Sequence, residues 1–247
     1  MRKSLLRAAV TMITAGLVAG LAFTGQAAAD EPAVQPFIVG GKTVTDQKPW
    51  IAALHGGGGF TCTSSVVAPT WVLTAAHCVE GSGYSVRVGS LDRSEGGTVV
   101  NVKRVVQHPQ FNWPDHDIAL LELERAVQTE TLPLANDADM RDGQAVEIYG
   151  WGSEKADWTG PLPRRLKMAS GTAYNCDEQA VHVTCTDADG GVAGGDSGGP
   201  ALVKSAATGE WVHAGVCAIG HKPANDQWGG YSTTASYRSW IKQVAGI

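Results

Sequence analysis

Three short stretches of this chain carry side chains that together can transfer an acyl group. Gly194-Gly195-Asp196-Ser197-Gly198-Gly199-Pro200 sets a serine among glycines, which let a backbone turn tightly and let another group approach closely. Upstream lie Thr74-Ala75-Ala76-His77-Cys78 and Asp117-Ile118-Ala119-Leu120-Leu121. A serine hydroxyl is a weak nucleophile at neutral pH and needs a base to take its proton. Imidazole has the pKa to take that proton and later return it. A carboxylate behind the ring holds its tautomer and stabilises the imidazolium. Ser197 is therefore the candidate nucleophile, His77 the candidate base and acid, and Asp117 the candidate orienting carboxylate.

Each assignment has a competitor. The chain has 7 histidines, and most histidines pack or face water. His77 stands out because its motif closes an apolar run. His116 lies beside Asp117 and competes with His77. Asp115 competes with Asp117, but it follows Pro114 in a polar loop. Asp117 directly precedes the apolar run 118–123, at the edge of a buried strand. Gly195-Asp196-Ser197-Gly198-Gly199 also fits the short G-x-S-x-G pattern of α/β-hydrolases. Those enzymes run serine, acid, histidine along the chain, whereas here the order is histidine, aspartate, serine.

The elements that must carry these groups read as β-strands. Short apolar runs broken by turn residues fall at 50–54, 64–68, 71–75, 84–88, 99–102 and 118–123. A second set falls at 145–152, 181–185, 201–203 and 211–219. This spacing suits barrels or sandwiches. The abundance of glycine (31 residues) and the low charged fraction of 17% agree with many turns. Residues 236–244 have helical spacing. The reading is two barrels dividing near 130–140, with His77 and Asp117 from the first, Ser197 from the second, and the site between them.

Residues 1–29 have the basic start, apolar middle and small-residue end of an export signal. Residues 30–37 are polar, contain proline and lack periodicity, which suits a pro-peptide, leaving 38–247 as one catalytic domain. Five cysteines fit an oxidising, extracellular setting. The net charge is −5 and no Lys/Arg run occurs, so nucleic acid and anionic lipid are not expected partners. No cofactor is expected, and no carboxylate cluster has Ca²⁺-loop spacing, so no metal is expected either.

On these residues, and on Ile38-Val39-Gly40-Gly41, the chain resembles the trypsin/chymotrypsin family of serine peptidases from about residue 38 to 241. Its short pro-segment and few cysteines resemble bacterial members. The resemblance implies two six-stranded antiparallel β-barrels with a C-terminal α-helix, and a secreted, monomeric endopeptidase. Its expected partners are protein or peptide substrates and proteinaceous serine-protease inhibitors, with no membrane contact after signal removal. It implies an oxyanion hole from the N–H groups of Gly195 and Ser197, and a solvent-facing side chain at His116. It implies a zymogen in which cleavage before Ile38 frees an ammonium that pairs with Asp196. It also implies bridges Cys62–Cys78 and Cys176–Cys185. The first closes a loop of about 15 residues, which the chain-entropy model values at ~3 kcal/mol. Cys217 is left over in a strand-like setting, as an inert core thiol.

The resemblance departs at the substrate pocket. Ala193 stands where a bracing cysteine is usual, and Ala218 where a serine commonly supports the catalytic aspartate. Counting back from Ser197 puts Gly191 at the pocket floor, with Gly220 and Gly229 as walls. A neutral, open pocket implies apolar or aromatic side chains at P1, the substrate residue before the cut. The segment from Cys185 to Ser197 is shorter than usual. Asp187 or Asp189 reaching the pocket would instead give an Arg/Lys preference. A rival of another class is a non-catalytic binding protein on the same fold.

Overall fold

The computed structural model describes residues 38–176 and 180–247. The expected signal at 1–29 and pro-peptide at 30–37 lie outside the described residues.

Thirteen strands carry the fold among the described residues. A two-residue β1 (Lys42–Thr43) comes first. The first barrel then follows as β2 (Ile51–Gly56), β3 (Gly59–Ala68), β4 (Trp71–Thr74), β5 (Ser85–Val88), β6 (Thr98–Gln107) and β7 (Ala119–Leu123). It closes in the order β2-β3-β4-β7-β6-β5, all pairs antiparallel. The second barrel contains β8 (Gln144–Gly150), β9 (Lys167–Asn175), β10 (Val183–Ala188), β11 (Pro200–Lys204), β12 (Trp211–Gly220) and β13 (Trp228–Thr233). Its order is β9-β10-β13-β12-β11-β8, closed by the β8–β9 pairing, with β1 added to β9.

Closure removes exposed strand edges, and each barrel fills with its own apolar residues. Leu54, Val66, Val72, Leu73, Val86 and Leu120 fill the first. Val146, Ile148, Val203, Val212 and Tyr231 fill the second. A third cluster joins them: Ile51 and Ala53 of β2 meet Tyr149, Trp151 and Leu202. The Trp50 and Tyr149 rings meet edge-on at 5.2 Å.

After β13 the chain makes one tight turn and enters α1 (Arg238–Ala245). Gly246, at φ 76°, donates its N–H to the Lys242 carbonyl at 2.9 Å and ends the helix. Ile241 and Tyr237 bury into the first barrel's core. The C-terminal segment thus returns from the second barrel and ties it to the first.

Candidate active site

His77 and Asp117 share an end of the first barrel because β4 and β7 are paired there. Thr74 lies opposite Ala119. The residues just beyond β4 and just before β7 therefore emerge side by side. His77 sits in a single 3₁₀ turn, Ala76–Val79. The Cys62–Cys78 disulfide anchors its neighbour to β3, with Cα atoms 6.2 Å apart. Asp117 is fully buried. One carboxylate oxygen accepts the His77 backbone N–H at 2.9 Å, and the other meets His77 Nδ1 at 2.5 Å. A carboxylate facing Nδ1 sets the tautomer and leaves Nε2 for an incoming hydroxyl proton. The Asp117 carbonyl accepts from Ser232 Oγ at 2.9 Å. Asp115 turns elsewhere and accepts the Val181 N–H at 2.9 Å.

Ser197 lies on the loop between β10 and β11. His77 and Ser197 line the same cleft, of about 410 Å³, which Trp113, Trp158, Val192, Ile219 and Gly220 also border. Gly198 lets this loop press against the first barrel. It has φ 77°, and a β-carbon there would lie 2.1 Å from Thr74 Oγ1, so no side chain fits. The N–H groups of Gly195 and Ser197 have no acceptor among the described residues.

Asp196 is buried and does not border the cleft. Its oxygens accept N–H groups from Gly152 at 2.7 Å and Ala193 at 2.9 Å. A β-carbon at Gly152 would fall 2.1 Å from this carboxylate. Burial pushes the Asp196 pKa up to about 7, against the pull of those two hydrogen bonds. No cation lies within ion-pairing distance of it among the described residues. Ile38 is buried in the second barrel's core, and Val39 bridges to Gly191.

Of the three expected pocket residues, only Gly220 borders the cleft. Gly191 is buried beneath the Ala224 carbonyl and Gln227. Between Gly220 and Gly229 lies the Val192 side chain, whose methyl carbons are within 3.1 Å of where a β-carbon on either glycine would stand. Sequence reasoning passed over Val192, although it adjoins Gly191. Asp187 and Asp189 are exposed, and one Asp189 oxygen accepts the Ser170 N–H at 2.7 Å. Neither borders the cleft.

Both expected disulfides are present, the second being Cys176–Cys185. Cys62, His77 and Cys78 have metal-site proximity, but the two sulfurs are consumed in their bridge. Cys217 is buried and free, and burial holds its thiol well above the usual range, as an unreactive core thiol requires. His116 departs from the solvent-facing expectation. It is half-buried, stacks on His108 at 4.9 Å, and its Nδ1 lies 3.2 Å from the Tyr237 hydroxyl.

Comparison with known proteins adds the final observation. The family model described as Trypsin matches residues 38–241. Trypsin 5G1 of Aedes aegypti is 29% identical, across 85% of this chain and 85% of its own length. A trypsin of Phaedon cochleariae is 31% identical, across 75% of this chain and 79% of its own length. Both relatives are insect proteins and lend no support to a bacterial affinity.

Proposed function

The chain belongs to the trypsin family of serine endopeptidases, and from that premise we propose that Ser197, His77 and Asp117 are its catalytic triad. The single observation that carries this reading is the shared cleft. His77 and Ser197 border it together, with buried Asp117 behind the imidazole. Ser197 Oγ attacks the scissile carbonyl carbon as His77 Nε2 accepts its proton. The carbonyl oxygen becomes an oxyanion and takes hydrogen bonds from the N–H groups of Gly195 and Ser197. Collapse of the tetrahedral intermediate breaks the C–N bond, and His77 gives its proton to the departing amine. Water then attacks the acyl-enzyme by the same route in reverse, freeing Ser197.

The precursor is a zymogen exported by residues 1–29 and activated by cleavage before Ile38. A buried carboxylate without a cation is costly, and the raised Asp196 pKa registers that cost. A new Ile38 ammonium supplies the missing charge. Gly191 already bonds to Val39 at 2.7 Å, so the segment that would turn inward starts beside the loop it would brace.

The primary pocket takes apolar P1 side chains. Val192, Ile219 and the two tryptophans border the cleft, and the two aspartates that would favour Arg or Lys are exposed. Cleavage of a mixed peptide library by the processed enzyme tests this. Cuts after apolar or aromatic residues are expected; cuts confined to Arg and Lys would contradict the pocket assignment.

A further inference from the structure

Thr63 stands in the first barrel, on β3, yet three of its hydrogen bonds reach the second barrel, two of them on the nucleophile loop. It is fully buried. Its hydroxyl donates to the Gly195 carbonyl at 2.9 Å and accepts the Trp151 N–H at 3.2 Å. Its backbone N–H donates to the Ser197 carbonyl at 2.9 Å. One residue therefore holds both ends of Gly195-Asp196-Ser197, the tripeptide whose terminal N–H groups are the proposed oxyanion donors.

We propose that the Thr63 hydroxyl is a positioning group for the oxyanion donors, fixing the Gly195–Asp196 peptide, which adjoins the peptide carrying the Gly195 N–H, from across the barrel interface. The inference rests on the proposed triad and oxyanion roles. Gly195 has φ 105° and no side chain to restrict its rotation, so its carbonyl must be held from outside. Thr63 itself is held firmly. Its neighbour Cys62 is bridged to Cys78, next to His77, and its carbonyl accepts from Thr74 Oγ1 at 3.1 Å. The base and the oxyanion donors are thereby referred to one short piece of β3. A buried hydroxyl that donates once and accepts once cannot be replaced by a methyl group without leaving the Gly195 carbonyl and the Trp151 N–H unpaired.

Thr63→Val keeps the shape and removes the hydroxyl; Thr63→Ser keeps the hydroxyl; Thr63→Ala removes it without β-branching, should valine disturb folding. The activated enzymes are compared on one peptide substrate. Affinities are also measured for a peptide aldehyde, which forms an oxyanion, and for a non-covalent product peptide, which does not. We expect Thr63→Val and Thr63→Ala to lose about 10- to 100-fold in kcat, less than deletion of an oxyanion donor, with KM changed by less than about threefold. Aldehyde affinity should fall with kcat and product affinity hold, while Thr63→Ser stays within about threefold of wild type in all measures. The proposal is overturned if the hydroxyl-free variants match wild type, if Thr63→Ser falls as far as they do, or if the loss lies in KM. A wild-type enzyme inactive on all peptides would instead refute the underlying triad reading.

Discussion

Asp196 and His213 are both buried, and burial moves them in opposite directions. The Asp196 pKa rises to about 7 and that of His213 drops to about 3, each because the charged form is disfavoured. The consequences for stability have opposite signs. Between about pH 4 and 7 the unfolded precursor has released the Asp196 proton while the folded one retains it, so stability falls as pH rises. For His213 the unfolded chain binds the extra proton between about pH 3 and 6.5, so stability rises with pH. Asp196→Asn in the uncleaved precursor removes only the first effect. Relative to wild type, denaturant melts should show the variant gaining stability as pH goes from 4 to 7, by up to about 4 kcal/mol. The slope is the test, since the amide also weakens one backbone hydrogen bond. After cleavage before Ile38 this slope between pH 4 and 7 should vanish and one of opposite sign should appear below about pH 4, because the ammonium then favours the charged carboxylate. An unchanged slope in both forms would contradict the assigned pairing.

Among elements, runs with alternating or continuous apolar residues were legible in the sequence, and two long strands were not. β9 carries Lys167, a buried lysine that breaks the apolar pattern; its ammonium is met by Thr43 Oγ1 at 2.7 Å and Glu154 at 3.4 Å. β13 contains the pair Gly229-Gly230, which reads as a turn until its partners on both sides are known. β6 extends to Gln107, well beyond the expected 99–102, because much of it is exposed and polar. The C-terminal helix starts two residues later than its periodicity suggests, after a 3₁₀ turn. That helix is anchored by Ile241, which has no exposed surface. Ile241→Ala should cost about 2–5 kcal/mol in denaturant unfolding, while Gln243→Ala on the exposed face should stay within about 0.5 kcal/mol. Equal effects would mean that the helix merely rests on the barrel.

Over the whole molecule, the two barrels bring residues far apart in the chain to a single cleft. The triad candidates were legible because each sits in a short motif with few other uses. Thr63 was not, since its partner Gly195 is 132 residues away and nothing local distinguishes one strand threonine from another. Val192 was hidden for a similar reason: the neutral pocket was inferred from glycines, and which side chain lies between them depends on the folded loops. The central claim is that Ser197 is made nucleophilic by His77 across the barrel interface. Labelling of the processed protein with a fluorophosphonate, followed by mapping of the modified residue, tests it most directly. The account predicts one adduct, on Ser197, and its loss in His77→Ala. An adduct elsewhere, or undiminished labelling of Ser197 without His77, would contradict it.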